Sequence, residues 1–446
     1  MTAVDIALAR LSAIRVASHA GAVLRVNAGA IVADGPNACV GDLCTVSIGT
    51  NGRALIAEVV AIDRETITLV PLERSEAVRP GARVTLDRSN QSAPVGDGFG
   101  GRAIDAMGAP FDGLGPIVAS DYARLSGRVL SPLERAETGP LLASGFASMD
   151  VLAPLSKGQR IGVFAASGVG KTTLVRRLAE TVACDRCIIC LVGERGKEVE
   201  QTWRQLSSRA DADRFTLVAA TSDQSATKRV RSVWQALCLA EFWRDQGEHV
   251  LFVVDSATRL ALALREIGLS AGEPPTARAF TPNVFSALPL MVERCGSSRS
   301  GGAITGVFSV LCETDDVDDP IAETMKSLLD GHIILSRRLA AQGQWPALDP
   351  LRSISRQAEH VMEADVLQRA RRVTELLARY DEGQVMVESG VYRAGADPVL
   401  DQAIKSRPAI MSFLAKGAGA PLSSQKVKDA LMTLDLGNHF LLERQS

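Results

Sequence analysis

Residues 161–173 read IGVFAASGVGKTT: an apolar run, then a turn of small residues, then Lys171 opening a helical pattern. A strand, a glycine-bearing turn and a helix start in this order form a phosphate cradle. Backbone N–H groups of Ala166, Ser167, Gly168, Val169 and Gly170 converge there with the positive end of the helix dipole. Lys171 is placed to reach the outer phosphates and the Thr172 hydroxyl to hold Mg²⁺, with Thr173 beside it. The strict pattern G-x4-G-K-[ST] is broken at one point, because Ala165 stands where the first glycine belongs.

Outward from this loop, apolar strands alternate with amphipathic helices. CIICLVGE ends at Glu194 and runs into Arg195; VLFVVD ends at Asp255; AITGVFSVLCET and HIILS follow. Between them, Val230, Val233, Trp234 and Leu237 fall on one face of a helix over 226–246. This alternation predicts a parallel sheet covered on both faces. Asp255 is the expected second Mg²⁺ anchor, a cap for the helix after Ser256 being the other use of that carboxylate. Glu194, beside the phosphate loop, is placed to orient or deprotonate a water, and Arg195 to clamp phosphate oxygens; a surface ion pair is the alternative.

The flanks differ in texture. Residues 1–90 carry short β-rich runs (AVLRV, CTVSIG, ALIAEVVAI, TITLVPL, ARVTLD) between turn clusters, which predicts a small barrel. Ahead of it, Val4, Ala7, Leu8, Leu11 and Ile14 mark one face of a short helix, packed on the barrel or docking a partner or membrane. After Arg356 the strand patterns stop, and Val366, Leu367, Ala370, Val373, Leu376 and Leu377 begin a helical region. The fold class is therefore α/β in three parts: a barrel over 1–90, a phosphate-loop parallel-sheet core over 91–360, and a helical domain over 361–446.

Composition narrows the function. Across 446 residues, 49 Lys+Arg face 51 Asp+Glu, which excludes binding of nucleic acid or anionic lipid by bulk positive charge. The first 90 residues contain no Phe, Tyr, Trp or Lys, and their nine Arg are matched by nine Asp+Glu. Small barrels that grip single strands need stacking aromatics and a basic groove, so this one reads as structural, a link in a ring collar. No run approaches the ~18 apolar residues of a spanning helix, and Asp5, Arg10 and Arg15 interrupt the N-terminal pattern, so no secretory signal is expected. Eight scattered cysteines fit a reducing compartment. Cys184, Cys187 and Cys190 have metal-like spacing without a fourth ligand, and read as small buried hydrophobes.

Four further blocks make the chain recognisable: GERGKEVEQ, DSATRLALALREIGLSAGEPPTARAFTPNVFSALPLMVERCG, DDPIAETMKSLLDGHIILSRRLAAQGQWPALDPLRSISR and DPVLDQAIK. Together they resemble the type III secretion and flagellar export ATPases, relatives of rotary ATPase catalytic subunits. The likeness covers roughly 95–405. It implies a RecA-like core that hydrolyses ATP with Mg²⁺ held by Thr172 and Asp255. By the same resemblance, Lys171 and Arg195 contact phosphates, Glu194 positions the hydrolytic water, and Arg259 follows the carboxylate in DSATR. Trp345 stands where relatives stack Tyr or Phe on adenine; packing before Pro346 is its other use. Arg356 matches an arginine finger that completes a neighbour's site.

A finger in trans implies a head-to-tail homohexamer. The resemblance also implies a stator or regulator protein, export chaperone–substrate complexes, peripheral association with an inner-membrane export gate, a cytoplasmic location, and no nucleic acid. With no feature that singles out an injectisome, the reading leans to the flagellar branch. The alternatives are a rotary ATPase catalytic subunit, a Rho-like RNA translocase, and a structural subunit that does not hydrolyse. The first lacks its acidic DELSEED segment here, the barrel argues against the second, and glutamate at 194 against the third. Relatives carry Gly where this chain has Ala166; a left-handed backbone there would cost alanine about 1–2 kcal/mol.

Overall fold

The structure is a computed structural model that describes residues 20–27, 29–49, 53–73, 78–87, 92–312, 319–417 and 419–437. The helix expected over 3–16 lies outside these residues.

Six antiparallel strands close the barrel: β1 (Ala20–Asn27), β2 (Ala30–Ala33), β3 (Leu43–Ile48), β4 (Arg53–Asp63), β5 (Thr66–Pro71) and β6 (Arg83–Asp87), in the order β1-β2-β5-β4-β3-β6. The alternation read in β5 has its physical cause here. Ile67 and Leu69 point into a core with Val46, Ala57 and Val59, while Thr66 and Thr68 stay half-exposed. The sequence reading missed β2. Its residues AIVA follow β1 after a turn at Gly29, whose φ of 85° reverses the chain without a Pro or Asp to announce it.

The core sheet has nine strands among the described residues. Along its main path lie β7 (Arg102–Ile104), β8 (Arg160–Ala165), β9 (Arg186–Glu194), β10 (Phe215–Thr221), β11 (His249–Asp255), β12 (Ala303–Leu311), β13 (Gly331–Leu335) and β14 (Ile354–Ser355). Their order is β14-β13-β8-β12-β11-β9-β10-β7, and all but β14 pair in parallel. Parallel strands need both faces covered, and β9, β11 and β12 are accordingly apolar almost throughout.

Helix α1 (Lys171–Thr181) follows β8, α2 (Gly196–Ser207) follows β9, α3 (Ala226–Asp245) follows β10 and α4 (Ala257–Ala271) follows β11. Of these, α3 is buried on more than the one face the sequence suggested: Cys238, Leu239, Ala240 and Trp243 are enclosed as fully as Val233 and Leu237. Its first turn also carries the barrel. Ser225 Oγ donates to the Leu72 carbonyl at 2.6 Å, and Thr227 Oγ1 to that of Pro71 at 3.0 Å.

The C-terminal region is helical: α5 (Ala364–Glu388), α6 (Pro398–Leu414) and α7 (Ser424–Met432). Ala370, Val373, Leu376 and Leu377 pack with Ile410, Phe413 and Leu431 onto Ala147 and Val151, so this bundle shares a core with the segment ahead of the phosphate loop. No helix among the described residues is long and apolar enough to cross a membrane.

Candidate active site

The C-terminal edge of the sheet gathers the chemistry, as the switch-point rule for open α/β sheets requires. Neighbouring strands there present Glu194 (end of β9), Asp255 (end of β11), Ser309 (in β12) and the loop after β8.

In the loop, Gly168 and Gly170 take the left-handed conformations, with φ of 81° and 96°. Ala166 does not, and it is buried with Ala165 and Val169, while Ser167 is exposed. The strain that alanine at 166 would have suffered is therefore absent, because the two remaining glycines absorb the turn. Gly170 is also sterically required. A Cβ there would lie 2.2 Å from Cζ3 of Trp345, whose ring rests on the loop where α1 begins.

Lys171 leaves the loop toward the sheet. Its Nζ donates to Asp255 Oδ1 at 2.6 Å and to Ser309 Oγ at 3.1 Å, and Ser309 Oγ donates to the same carboxylate oxygen at 2.6 Å. Asp255 is 2% exposed, so its charge is held by this pair of donors. Thr172 and Thr173 are exposed on the first turn of α1. Sequence reasoning did not select Ser309. Its signal was one of two hydroxyls, with Thr305, within the apolar run AITGVFSVL, and only the sheet order brings it beside Asp255.

Glu194 is half-buried and accepts from Arg259 Nε at 3.0 Å. Burial pushes its carboxyl up to about 7; the Arg259 charge opposes this, and Asp255 and Glu198 add to it. Such a carboxylate titrates where a general base is effective. Arg195 sits at the N-cap of α2 with its side chain exposed. The Asp255 carboxylate and the exposed hydroxyl of Thr172, the residue after Lys171, are hard oxygen donors of the kind that suits Mg²⁺.

Arg356 is not brought to this edge. It follows β14, which pairs with β13 at Gly331–Ser355, and Gly331 stands beside Ile161 near the start of β8. The run from Ile161 to Ala165 spans roughly 13 Å at ~3.3 Å per residue, and the loop begins beyond it. Arg356 is exposed at the opposite edge of the sheet, its N–H bonded to the Asp330 carbonyl at 2.9 Å.

Of the three spaced cysteines, Cys187 and Cys190 are buried in β9 as the sequence reading has it. Cys184 departs from it, lying half-buried against Arg214.

Comparison with known proteins places this geometry. Residues 145–355 match the ATP synthase alpha/beta family nucleotide-binding domain, residues 23–86 its beta-barrel domain, and residues 362–433 the T3SS EscN ATPase C-terminal domain. A flagellum-specific ATP synthase of Bacillus subtilis is 38% identical over 93% of this chain and 94% of its own. A type 3 secretion system ATPase of Xanthomonas euvesicatoria is 38% identical over 91% and 92%. The assembled ATPase EscN of the enteropathogenic E. coli type III secretion system superposes with a TM-score of 0.87, at 34% identity, covering 92% of this chain and 99% of that one. EscN in complex with its central stalk EscO superposes with a TM-score of 0.83. The C-terminal match, together with export ATPases as relatives along nearly the whole chain, sets it apart from the rotary and RNA-translocating alternatives. The chain belongs to the family of flagellar and type III secretion ATPases and is a nucleotide-binding ATPase of protein export.

Proposed function

We propose that the chain works as a homohexameric ring in which each ATP site is completed by the neighbour's Arg356. The observation that carries this reading is the separation of Arg356 from its own Lys171 by the length of β8. A guanidinium exposed at one edge and a phosphate loop at the other suit a head-to-tail contact, which closes into a ring.

Within a site, the loop 166–170 binds the phosphates through its N–H groups, Lys171 moves from Asp255 onto them, and Trp345 stacks on adenine. Thr172 and Asp255 would hold Mg²⁺, which when bound supplies positive charge to the phosphate oxygens. Glu194, fixed by Arg259, orients the attacking water and accepts its proton. Arg259 turns its exposed side toward the nucleotide, and Arg195 and the neighbour's Arg356 stabilise charge on the transferring phosphoryl group.

The helical region reads as the output part. Val385 and Met386 in the last turn of α5, and Val391 just beyond it, are exposed hydrophobics suited to a central stalk and to chaperone–substrate complexes. The 3–16 segment is a candidate contact for a stator or for the inner-membrane export gate, consistent with a cytoplasmic protein peripheral to the membrane. Flagellar service is the branch we favour.

Mixing inactive variants tests the trans site. Arg356→Ala and Lys171→Gln should each abolish turnover, and their mixture should regain part of it, because some interfaces then pair an intact loop with an intact finger. A mixture as inactive as its components, under conditions where rings form, refutes the shared site. Removing residues 1–18 should lower membrane recovery and spare assembled turnover.

A further inference from the structure

The function leaves the C-x2-C of Cys184 and Cys187 unused, and no metal-holding cluster of His, Cys, Asp or Glu exists among the described residues. The two thiols differ in setting. Cys184 lies half-buried in the turn between α1 and β9, and Cys187 is fully buried as the second residue of β9. Both face the same core cluster.

A fixed cation stands over Cys184. Arg214 Nη1 donates to its Sγ at 3.0 Å. The guanidinium is held from other sides as well: Nε by Asp211 at 2.8 Å, Nη2 by the carbonyls of Ala179 and Glu180 in the last turn of α1, and its face by the Phe215 ring at 4.2 Å. It cannot swing away, so the sulfur meets a standing positive charge. The neighbouring Cys187 thiol holds Cys184 below the ordinary thiol range; burial opposes this, and the Arg214 charge adds to the lowering. Cys187 itself is pushed up, first by burial and then by that same contact. A thiolate beside a cation, with a protonated thiol against it, is the arrangement of an attacking and a resolving cysteine. Cys238 also accepts from a guanidinium, Arg294 Nη2 at 3.4 Å, but it is fully buried and burial raises its thiol. Cys190 and Cys295 are fully buried, and burial pushes each up to about 12. Cys39 is exposed on a barrel loop.

We propose that Cys184 and Cys187 form a dithiol site oxidised by hydroperoxides, with Cys184 attacking and Cys187 resolving. The Cys184 thiolate sulfur takes one peroxide oxygen, the O–O bond breaks, and the departing hydroxide becomes water with the proton that Cys184 had lost. The Cys187 sulfur then displaces the hydroxyl from the Cys184 sulfenic acid, the S–O bond breaks, and the Cys187 thiol proton leaves in a second water. Two thiols have given up two electrons to form one disulfide, and hydrogen peroxide has been reduced to water. This chemistry is independent of the ring and of the nucleotide roles.

Hydrogen peroxide at near-stoichiometric amounts, added to the reduced full chain and followed by peptide mass mapping, tests the site. A Cys184–Cys187 disulfide should be the main product, formed about tenfold faster than any oxidation of exposed Cys39. In Cys187→Ser, dimedone should capture a sulfenic acid at Cys184. The proposal falls if Cys184 stays reduced while Cys39 reacts, or if wild-type Cys184 is over-oxidised with Cys187 still a free thiol. Should Cys187→Ser fail to fold, the wild-type map alone decides, because each of its outcomes supports or overturns the pairing.

Discussion

Lys171 and Asp255 are joined at 2.6 Å, with Ser309 bonded to both. The cation expected on the outer phosphates is thus stored on the carboxylate at the end of β11 in the same sheet, and nucleotide must outcompete a nearly buried ion pair to recruit it.

Replacing Lys171 by Gln should lower turnover by at least ~10²-fold, since a preorganised charge on the transferring group is lost. It should also destabilise the fold by about 3–5 kcal/mol, because Asp255 keeps its buried charge without the cation. Denaturant unfolding beside an ATPase assay separates the two effects. An unchanged unfolding midpoint would show that the pair contributes no stability.

Glu194 sets a pH dependence. As the proposed base it must be ionised, and burial pushes its carboxyl up to about 7, so kcat/KM should rise through neutral pH. Arg259 opposes the upward push and Glu198 adds to it, so Arg259→Gln should move the midpoint up and Glu198→Gln should move it down. A flat profile over about two pH units around that midpoint would exclude Glu194 as the titrating base.

The phosphate loop offers a graded series. Ala166→Gly relieves no left-handed strain and should change stability by no more than about 1 kcal/mol. Gly168→Ala meets open space and should cost only the backbone term of about 1–2 kcal/mol. Gly170→Ala bears that cost and also drives a methyl into Trp345, so ATP affinity should fall by about tenfold or more, 1.4 kcal/mol per decade. Isothermal titration of the three variants gives the ranking, and equal losses at 168 and 170 would remove Trp345 from the loop.

Asp150 is 5% exposed, with Oδ1 accepting from Ser144 N and Oδ2 without a partner. Burial pushes its carboxyl up to about 6, against the lowering from Ser144. The folded state therefore binds the proton more tightly than the unfolded chain. That stability is complete below the ordinary aspartate range and is lost as pH rises through about 6. Asp150→Asn should stabilise the protein by roughly 1–3 kcal/mol at alkaline pH and by nothing in acid. Urea midpoints across pH check the sign; a variant less stable at alkaline pH would reverse it.

The legible part of the site was whatever one strand and its following turn carry together. Lys171, Glu194 and Asp255 each end or follow an apolar run, so a parallel sheet puts them at one edge without further information. Ser309 was not legible, because its partner is set by the order of β12 against β11. The Arg259–Glu194 bond was hidden likewise, since it joins a helix to a neighbouring strand 65 residues away. Strand β2 was lost to a glycine turn too brief to register as a boundary. Ala166 raised a false alarm, since composition does not tell which loop positions carry positive φ.

One consequence of the sheet concerns direction. Lys171, Glu194 and Asp255 lie where the parallel strands finish, while Arg356 and the Cys184 turn lie where they start. On the proposed shared site, the subunit is polar along its strands, with a giving side and a taking side. An inverted copy would set two giving sides face to face and leave a pocket unserved, so any ring built from this chain carries a sense of rotation written into its strand direction.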